Sequence, residues 1–373
     1  MTTRDWATTT LGRVVDFYAG GSLPEGQPYE GQDDGYFLMK VSDMNLPGNE
    51  SVIGRCISWS KSPGARSATC PAGAVVIPKR GGAIGTNKKR LVTRPTVLDP
   101  NLMAIRPHAD EVDLGFLYQW FATFDLASIA TGSSVPQLNK QDLAPLPFPL
   151  PSLEEQRRIA EILGRADELR TKRRKTLTQL DHLANSIFLD LFDTPHTNRR
   201  NLTVRTLGEV AKLKSGAFLP SSQMASDGKY AVLGGNGVSG YHNEYMFKER
   251  MLVIGRVGAY CGCVHVSPPR AWVTDNALYV SELDSSVTIN YLAHALKHAN
   301  LNQYASQSGQ PLISGSRIYP APIVVPPAHL QQQFDDHIYA VEAHREKSLT
   351  NLKKLDALFA SLQERTFGNT VFS

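Results

Sequence analysis

The chain is written twice. Residues 9–24, TTLGRVVDFYAGGSLP, and residues 205–220, RTLGEVAKLKSGAFLP, coincide at Thr10/Thr206, Leu11/Leu207, Gly12/Gly208, Val14/Val210, Gly20/Gly216, Leu23/Leu219 and Pro24/Pro220, an offset of 196. A second match closes each half: Pro145, Pro149, Leu153 and Gln156 recur as Pro322, Pro326, Leu330 and Gln333, an offset of 177. A third, LDHL at Leu180–Leu183 against LDAL at Leu355–Leu358, has an offset of 175. Repeats this long are domain-sized copies and not the units of a solenoid.

The copies have the same plan. Residues 1–150 are rich in Gly and Pro, and short apolar runs such as Gly73–Pro78 and Thr96–Ile105 predict strands between turns. Leu117, Phe121 and Phe124 share a face and predict a helix over Leu114–Ile129. From Leu153 to Phe192 there is no proline and one glycine, with Ser152 and Glu155 at capping-box spacing. Ile159, Ile162, Leu163, Ala166 and Leu169, then Leu177, Leu180, Leu183, Ile187 and Leu191, make one apolar stripe. At 1.5 Å per residue such a helix is about 57 Å long, and so narrow a stripe needs a partner helix. A polar linker with Pro195 as breaker leads into the second copy. There, Met251–Val266 and Ala271–Val280 predict strands, Ile289–Tyr304 a helix, and residues 328–367 a second long helix. The expected fold class is α+β: two similar globular domains joined by a pair of long antiparallel helices, a pseudo-two-fold internal duplication. The segments are 1–150, 151–193, 194–326 and 327–373. Leu177, Leu180, Ile187, Leu352, Leu355 and Leu362 on the two stripes are the candidate partner-binding residues.

The net charge is only +4, but it is uneven. Ser51–Leu98 contains no Asp or Glu and carries Lys79, Arg80, Lys88, Lys89, Arg90 and Arg94 among its bases; Ser285–Phe334 is also free of acid. Either window alone fits a solvated basic face as well as a polyanion site; one in each copy favours nucleic acid. Lys79 and Arg80 follow one predicted strand just before glycines, and Arg256 follows the other in Ile254–Gly262. Glycine lets a phosphate approach the backbone, and Arg or Lys can pair with a guanine edge. The loops Thr131–Leu143 and Ser306–Ile318 are rich in amides and hydroxyls, with Gly132 matched to Gly309. Their Gln137, Asn139, Lys140, Gln310, Ser314 and Arg317, with Lys214 and Asn236, complete the DNA-binding candidates.

No catalytic motif stands out: there is no Walker A loop and no nucleophile elbow. Gly81–Thr86, GGAIGT, leads into Asn87-Lys88-Lys89-Arg90 and fits a tight strand–turn–strand with a basic tip better than a dinucleotide loop. His294 and His298 stand four apart on a predicted helix with Cys261 and Cys263 upstream, but Cys-x-Cys is atypical zinc spacing and the first copy has no equivalent ligand set, so no metal is expected. Four cysteines are no disulfide framework, and no run approaches 18 apolar residues. A reduced, cytoplasmic protein without a membrane span is expected.

These residues resemble the specificity subunit of type I restriction–modification systems, over essentially the whole length. The likeness rests on the TLGxV starts at Thr10 and Thr206, Gly234–Tyr241, the basic strand ends at Arg80 and Arg256, Thr274–Val280 and above all Pro145–Leu163. Pro320–Gln333 is a looser second copy of that last passage, with Gln331-Gln332 in place of Glu154-Glu155. The resemblance implies two target recognition domains, each reading half of an asymmetric bipartite site in double-stranded DNA. The helices would set the gap and dock DNA methyltransferase subunits, two being expected, with motor–nuclease restriction subunits joining them. The chain itself would be non-catalytic; no Asp/Asn/Ser-Pro-Pro-aromatic methylation motif occurs, the nearest being Ser267–Arg270. S-adenosylmethionine, ATP and magnesium would belong to the partners. The alternatives are a stand-alone DNA-binding repressor or antirestriction protein, and a coiled-coil scaffold for proteins.

Overall fold

Every residue of the strand Ala74–Pro78 is buried, as happens when a sheet is covered on both faces. In the computed structural model, this strand is central in a sheet ordered Val15–Tyr18, Leu102–Pro107, Ala74–Pro78, Arg90–Val92, Val52–Ile53. The structure describes residues 6–132, 135–194, 197–225, 227–306 and 309–368. Strand alternation divides the side chains. Val75, Ile77, Met103 and Ile105 enter one core, which helices close; Ala74, Val76, Leu102 and Ala104 enter another. The second core is closed by a sheet ordered Gln27–Pro28, Ser58–Ser60, Tyr36–Met39, Thr96–Leu98, Thr69–Cys70.

The second copy repeats this. Its main sheet is ordered Ala211–Ser215, Ala277–Leu283, Leu252–Gly255, Val264–Val266, and its smaller sheet Gly237–His242, Tyr230–Gly234, Trp272–Val273. Leu252, Ile254, Leu278 and Val280 face the helices, while Val253 and Ala277 face the smaller sheet. The repeated Thr-Leu-Gly motif has a structural task in both. Leu11 and Gly12 donate their N–H groups to Leu146 and Ala144 carbonyls, and Leu207 and Gly208 donate theirs to Ala321 and Tyr319, at 2.9–3.0 Å. Each copy's start is thereby stitched to the residues before its long helix.

Four longer helices complete the described residues: α1 (Leu114–Ala122), α2 (Leu153–Phe192), α3 (Ile289–His298) and α4 (Ala328–Phe367). α1 is shorter than its stripe predicts. Lys89 Nζ donates to Phe124 O, and Leu126 N donates to Asn87 Oδ1, so a distant turn takes the backbone groups that a continued helix would pair. α3 likewise stops early, where Asn300 adopts a left-handed φ of 45°; a 3-10 turn, Leu301–Tyr304, follows. Pro195, expected as the breaker of the linker, lies outside the described residues. α2 ends at Phe192, where its stripe ends, and Asp193 follows in the left-handed region with φ 63°, a position Asp tolerates better than most residues. Hydrogen bonds from the Thr197 hydroxyl and then from Arg199 hold its carboxyl below the usual carboxylate range.

Compactness divides the chain into Met1–Arg173 with Asn351–Ser373, and Arg174–Thr350. Each long helix is thus shared between the units, whereas the sequence suggests that each is a separate segment. Within the first unit, the start of α2 lies antiparallel to the end of α4. Ile159, Leu163 and Ala166 are buried with Phe359 and Phe367. Arg170 Nε donates to Asp356 Oδ1 at 2.6 Å, its guanidinium 4.2 Å from the Phe359 ring. Within the second unit, the end of α2 lies antiparallel to the start of α4: Arg345 Nε reaches Asp181 Oδ1 at 3.0 Å, and the Phe188 and Phe334 rings are 5.7 Å apart.

A buried glutamine anchors each helix start. Gln156 Oε1 accepts from Asp113 N, and its Nε2 donates to the Glu111 and Pro151 carbonyls. Gln331 Oε1 accepts from Thr288 N, and its Nε2 donates to the Ser286 and Pro326 carbonyls. This corrects the offset of 177. Gln331, and not Gln333, is the counterpart of Gln156; the strands Pro147–Leu150 and Pro322–Val325 and the helix ends Phe192 and Phe367 give the same offset of 175. In this register His329-Leu330 stand where Glu154-Glu155 do.

His294 and His298 stack on Phe188, with ring centroids 6.1 and 4.9 Å apart. Among the described residues no three His, Cys, Asp or Glu side chains converge as metal ligands. Burial, then Lys297 and His298, lowers the His294 pKa to about 3. Its neutral form is therefore built into the fold. Above the unfolded-state pKa of about 6.5 it costs nothing; below it, the unfolded chain takes up a proton that the folded one refuses. The second unit is expected to lose about 1.4 kcal/mol per pH unit below about pH 6.5, or about 2 kcal/mol by pH 5. Urea midpoints at pH 7.5 and 5.0 check this; His294→Leu should shrink the difference, and an unchanged midpoint in the parent chain would refute it.

Candidate nucleic-acid interface

In both units a buried strand ends in a basic residue, and a polar loop is pinned beside it. In the first, Leu138 N donates to Lys79 O at 2.9 Å and Gly81 N to Pro136 O at 2.8 Å, with Arg80 bridged to Gln137. In the second, Ile313 N donates to Arg256 O and Gly258 N to Pro311 O, both at 2.9 Å, with Val257 bridged to Leu312. The loops close alike, through Thr131–Gln137 and Ser306–Leu312 backbone bonds. Their offset is also 175, so Gly132 and Gly309 are not counterparts. Ser133, Ser134, Gln307 and Ser308 of these loops lie outside the described residues.

The basic side chains reach back to equivalent places. Lys79 Nζ donates to Ala19 O, and Arg256 Nη1 donates to Ser215 Oγ at 3.0 Å. Ala19 and Ser215 immediately precede the repeated Gly20 and Gly216. A Cβ on Gly20 would lie 2.2 Å from Asp99 O, and one on Gly216 2.3 Å from Thr274 O. The repeated glycine therefore lets the chain pass under the strand end. Burial, followed by the neighbouring Arg80, lowers the Lys79 pKa.

The first unit thus brings together Lys79, Arg80 and Gln137 on one rim, with Asn139 and Lys140 following on the same loop. Arg80, Asn139 and Lys140 are exposed. Asn139 N donates to Asp142 Oδ2, capping the single turn Lys140–Leu143, and Lys140 Nζ lies 5.6 Å from the Phe17 ring. The second unit gathers Arg256 with exposed Lys214, two residues before the strand-end glycine, and exposed Gln310. The Gln310 amide is 3.8 Å from the space a Gly258 Cβ would fill. Ser314 Oγ pairs with Ser316 Oγ at 3.0 Å, and Arg317 is exposed one residue on. Asn236 belongs to the turn joining the strands Tyr230–Gly234 and Gly237–His242. That turn abuts the same strand end, since a Gly255 Cβ would meet Gly235 O at 2.5 Å.

Four further candidates make hydrogen bonds within the first unit, and one of them, Lys89, is buried. Lys89 is buried and donates to Asn87 Oδ1 and Phe124 O, both at 2.6 Å; burial lowers its pKa to about 8. Arg90 donates to Lys89 O and Met44 O. Lys88 donates to Asn45 Oδ1. Arg94 donates to Gln32 O and Asp34 O, its guanidinium 4.4 Å from the Phe37 ring. In a window without acids, backbone carbonyls and amides are the acceptors that remain. The expected basic tip is therefore folded inward, and GGAIGT is a 3-10 turn with Ile84 buried.

Sequence reasoning missed three exposed side chains near the second rim: Phe218, Tyr260 and Asn276. Asn276 O accepts from Arg256 N at 3.0 Å, and the Tyr260 Cβ lies 3.8 Å from the Cβ position of Gly235. Phe218 and Tyr260 each stand two residues after a glycine, Gly216 and Gly258, which is a signal the sequence offers; Asn276 has no glycine nearby to mark it.

The stripes also divide differently than expected. Ile187 and Leu362 are half-buried against the core of their own unit; Leu177, Leu180, Leu352 and Leu355 are also half-buried. The apolar side chains left exposed are Ile162, Leu169 and Leu358 in the first unit and Leu183, Leu189 and Tyr339 in the second. Among the described residues no helix is long and apolar enough to cross a membrane.

The type I restriction modification DNA specificity domain matches residues 4–180 and 200–354. The specificity subunit of the type I restriction enzyme EcoprrI from Escherichia coli is 33% identical over 126 residues, 33% of this chain and 31% of that protein. A putative type I specificity subunit of Mycoplasma pneumoniae is 33% identical over 152 residues, 37% of this chain and 38% of that protein. The MjaIX specificity subunit of Methanocaldococcus jannaschii is 24% identical over 237 residues, covering 58% and 51%. The chain thus spans about a third to a half of the length of these curated relatives. The crystal structure of a type I restriction–modification S subunit from M. genitalium shares the fold, with a TM-score of 0.66 at 17% identity over 96% of this chain and 95% of that one. Two matched stretches, each carrying the same strand-end rim, show that this chain belongs to the type I restriction–modification DNA specificity family, with two copies of its DNA specificity domain.

Proposed function

We propose that the two units read the two halves of an asymmetric, bipartite target in duplex DNA and that the long helices dock methyltransferase subunits, two in number. The observation that carries the first part is one frame with two fillings. At equivalent rim positions the first unit has Lys79, Arg80 and Gln137, and the second has Arg256, Val257 and Leu312. Equal frames with unequal side chains suit different half-sites, since phosphate contacts position a reader and base-edge contacts specify the sequence. The exposed apolar side chains of α2 and α4 support the docking. In this reading methyl transfer belongs to the partners, with S-adenosylmethionine, and cleavage to restriction subunits, with ATP and magnesium.

The methylome of the host tests it. Deleting the gene is expected to erase one split methylated motif, and the tagged chain to co-purify with a methyltransferase. Arg256→Ala is expected to weaken binding about 5- to 150-fold, the loss of one good base or phosphate contact, and to relax only one half of the motif. A methylome indifferent to the deletion would sink the reading; relaxation of both halves by Arg256→Ala would sink the division of labour.

A further inference from the structure

Phe218 is the most exposed large apolar side chain among the described residues, at 73%, yet the backbone beneath it is fixed. Ala217 N donates to Val273 O at 2.9 Å, and Ala217 O accepts from Trp272 Nε1 at 3.2 Å. On the other side Leu219 is buried. A single exposed apolar residue is ordinary on a protein surface. This one differs in its place and in its counterpart. It stands three residues after Ser215, whose hydroxyl accepts from Arg256, and four after exposed Lys214. In the first unit the frame is the same, Gly20-x-x-Leu23-Pro24 against Gly216-x-x-Leu219-Pro220, but the residue before the leucine is Ser22, also exposed.

We infer that Phe218 is a specificity-determining residue of the second unit, its ring packing against a base of duplex DNA held at the Lys214–Arg256 rim. The inference rests on the DNA reading proposed above. Lys214 would hold a phosphate, an attraction that is alike for every sequence. The ring adds an uncharged contact whose strength depends on the base and on how easily the step beside it unstacks. With only two side-chain torsions and a pinned backbone, it loses little freedom on binding. Ser22 offers no such surface, so the contact belongs to one half-site only.

The experiment uses the full chain with its methyltransferase and two 30-base-pair duplexes, one bearing the methylated motif of the host and one scrambled, each titrated between about 50 and 200 mM salt. Phe218→Ala is expected to weaken binding to the motif duplex about 5- to 150-fold, the range for losing one aromatic–base contact. Its salt slope should stay at the parent value, and its binding to the scrambled duplex should be unchanged. Phe218→Trp should restore most of the loss. Lys214→Ala should instead lower the salt slope by about 0.9 on both duplexes. Phe218→Ala binding the motif duplex like the parent, or losing affinity equally for both duplexes, overturns the inference while leaving the DNA reading intact. A parent chain that binds neither duplex overturns the DNA reading and the inference with it.

Discussion

Removal of residues 351–373 is expected to unfold the first unit and leave the second folded. Phe359 and Phe367 are buried in the first unit's core, and Leu362 packs against it. The Phe367 ring lies 5.5 Å from Phe116, which in turn packs on Phe148. Each buried phenylalanine is worth about 3–5 kcal/mol when truncated, and whole domains are stable by only about 5–15 kcal/mol. Losing both, with the Arg170–Asp356 pair, leaves no margin. Hydrogen exchange separates the outcomes: amides of Ala74–Pro78 and Leu102–Pro107 should lose protection, and those of Leu252–Gly255 and Ala277–Leu283 should keep it. Phe367→Ala is the milder form, with an expected loss of about 3–5 kcal/mol confined to the first unit. Protection that survives in the first unit after the deletion would contradict the shared-helix construction.

The second large effect concerns the buried glutamines. Gln331→Leu removes one acceptor and two donor bonds and strands Thr288 N and the Ser286 and Pro326 carbonyls near the core. Buried groups left unpaired cost about 1–3 kcal/mol each. Partial rehydration at the helix start keeps the expected total near 2–4 kcal/mol, or about 2–4 °C of melting temperature per kcal/mol for a unit of this size. Gln156→Leu should do the same to the first unit. Gln333, only two residues away, is exposed, and Gln333→Leu should stay within about 0.5 kcal/mol. Thermal melts of the three variants decide the matter. If Gln333 proved the costly position, the offset of 175 would be wrong.

That pair of glutamines shows where the sequence stops being legible. The helix bounds were readable, because a stripe without proline has few places to end: 328–367 is both the expectation and α4. The strands were readable as apolar runs between turns. The register between copies was not. Prolines alternate at 145, 147, 149 and 151, and glutamines fill 331–333, so a slip of two residues matches as well as the true register. In a strand a shift of two also keeps every side chain on its face. The hydrogen bonds of the buried amide distinguish the two, and the strand ends and loop bonds agree with them. The rim was half legible. Arg80, Lys214 and Arg256 could be named from glycine and charge at strand ends. Lys89 could not be told from them, because the Phe124 carbonyl that captures it is 35 residues away. The same distant contact ended α1 short of its own periodicity.

The shared helices also impose an order in time. Residues 174–350 form one unit without interruption, whereas the first unit needs residues 351–373. On a ribosome adding about 5–20 residues per second, the second unit emerges whole while the first waits on the order of ten seconds or more for the segment that closes it. The part of the chain made first is thus completed last, with the apolar surface around Phe116 and Phe148 open in the meantime. Aggregation and proteolysis during synthesis should therefore fall on the N-terminal strands, and a chaperone that shields nascent chains has its natural client there.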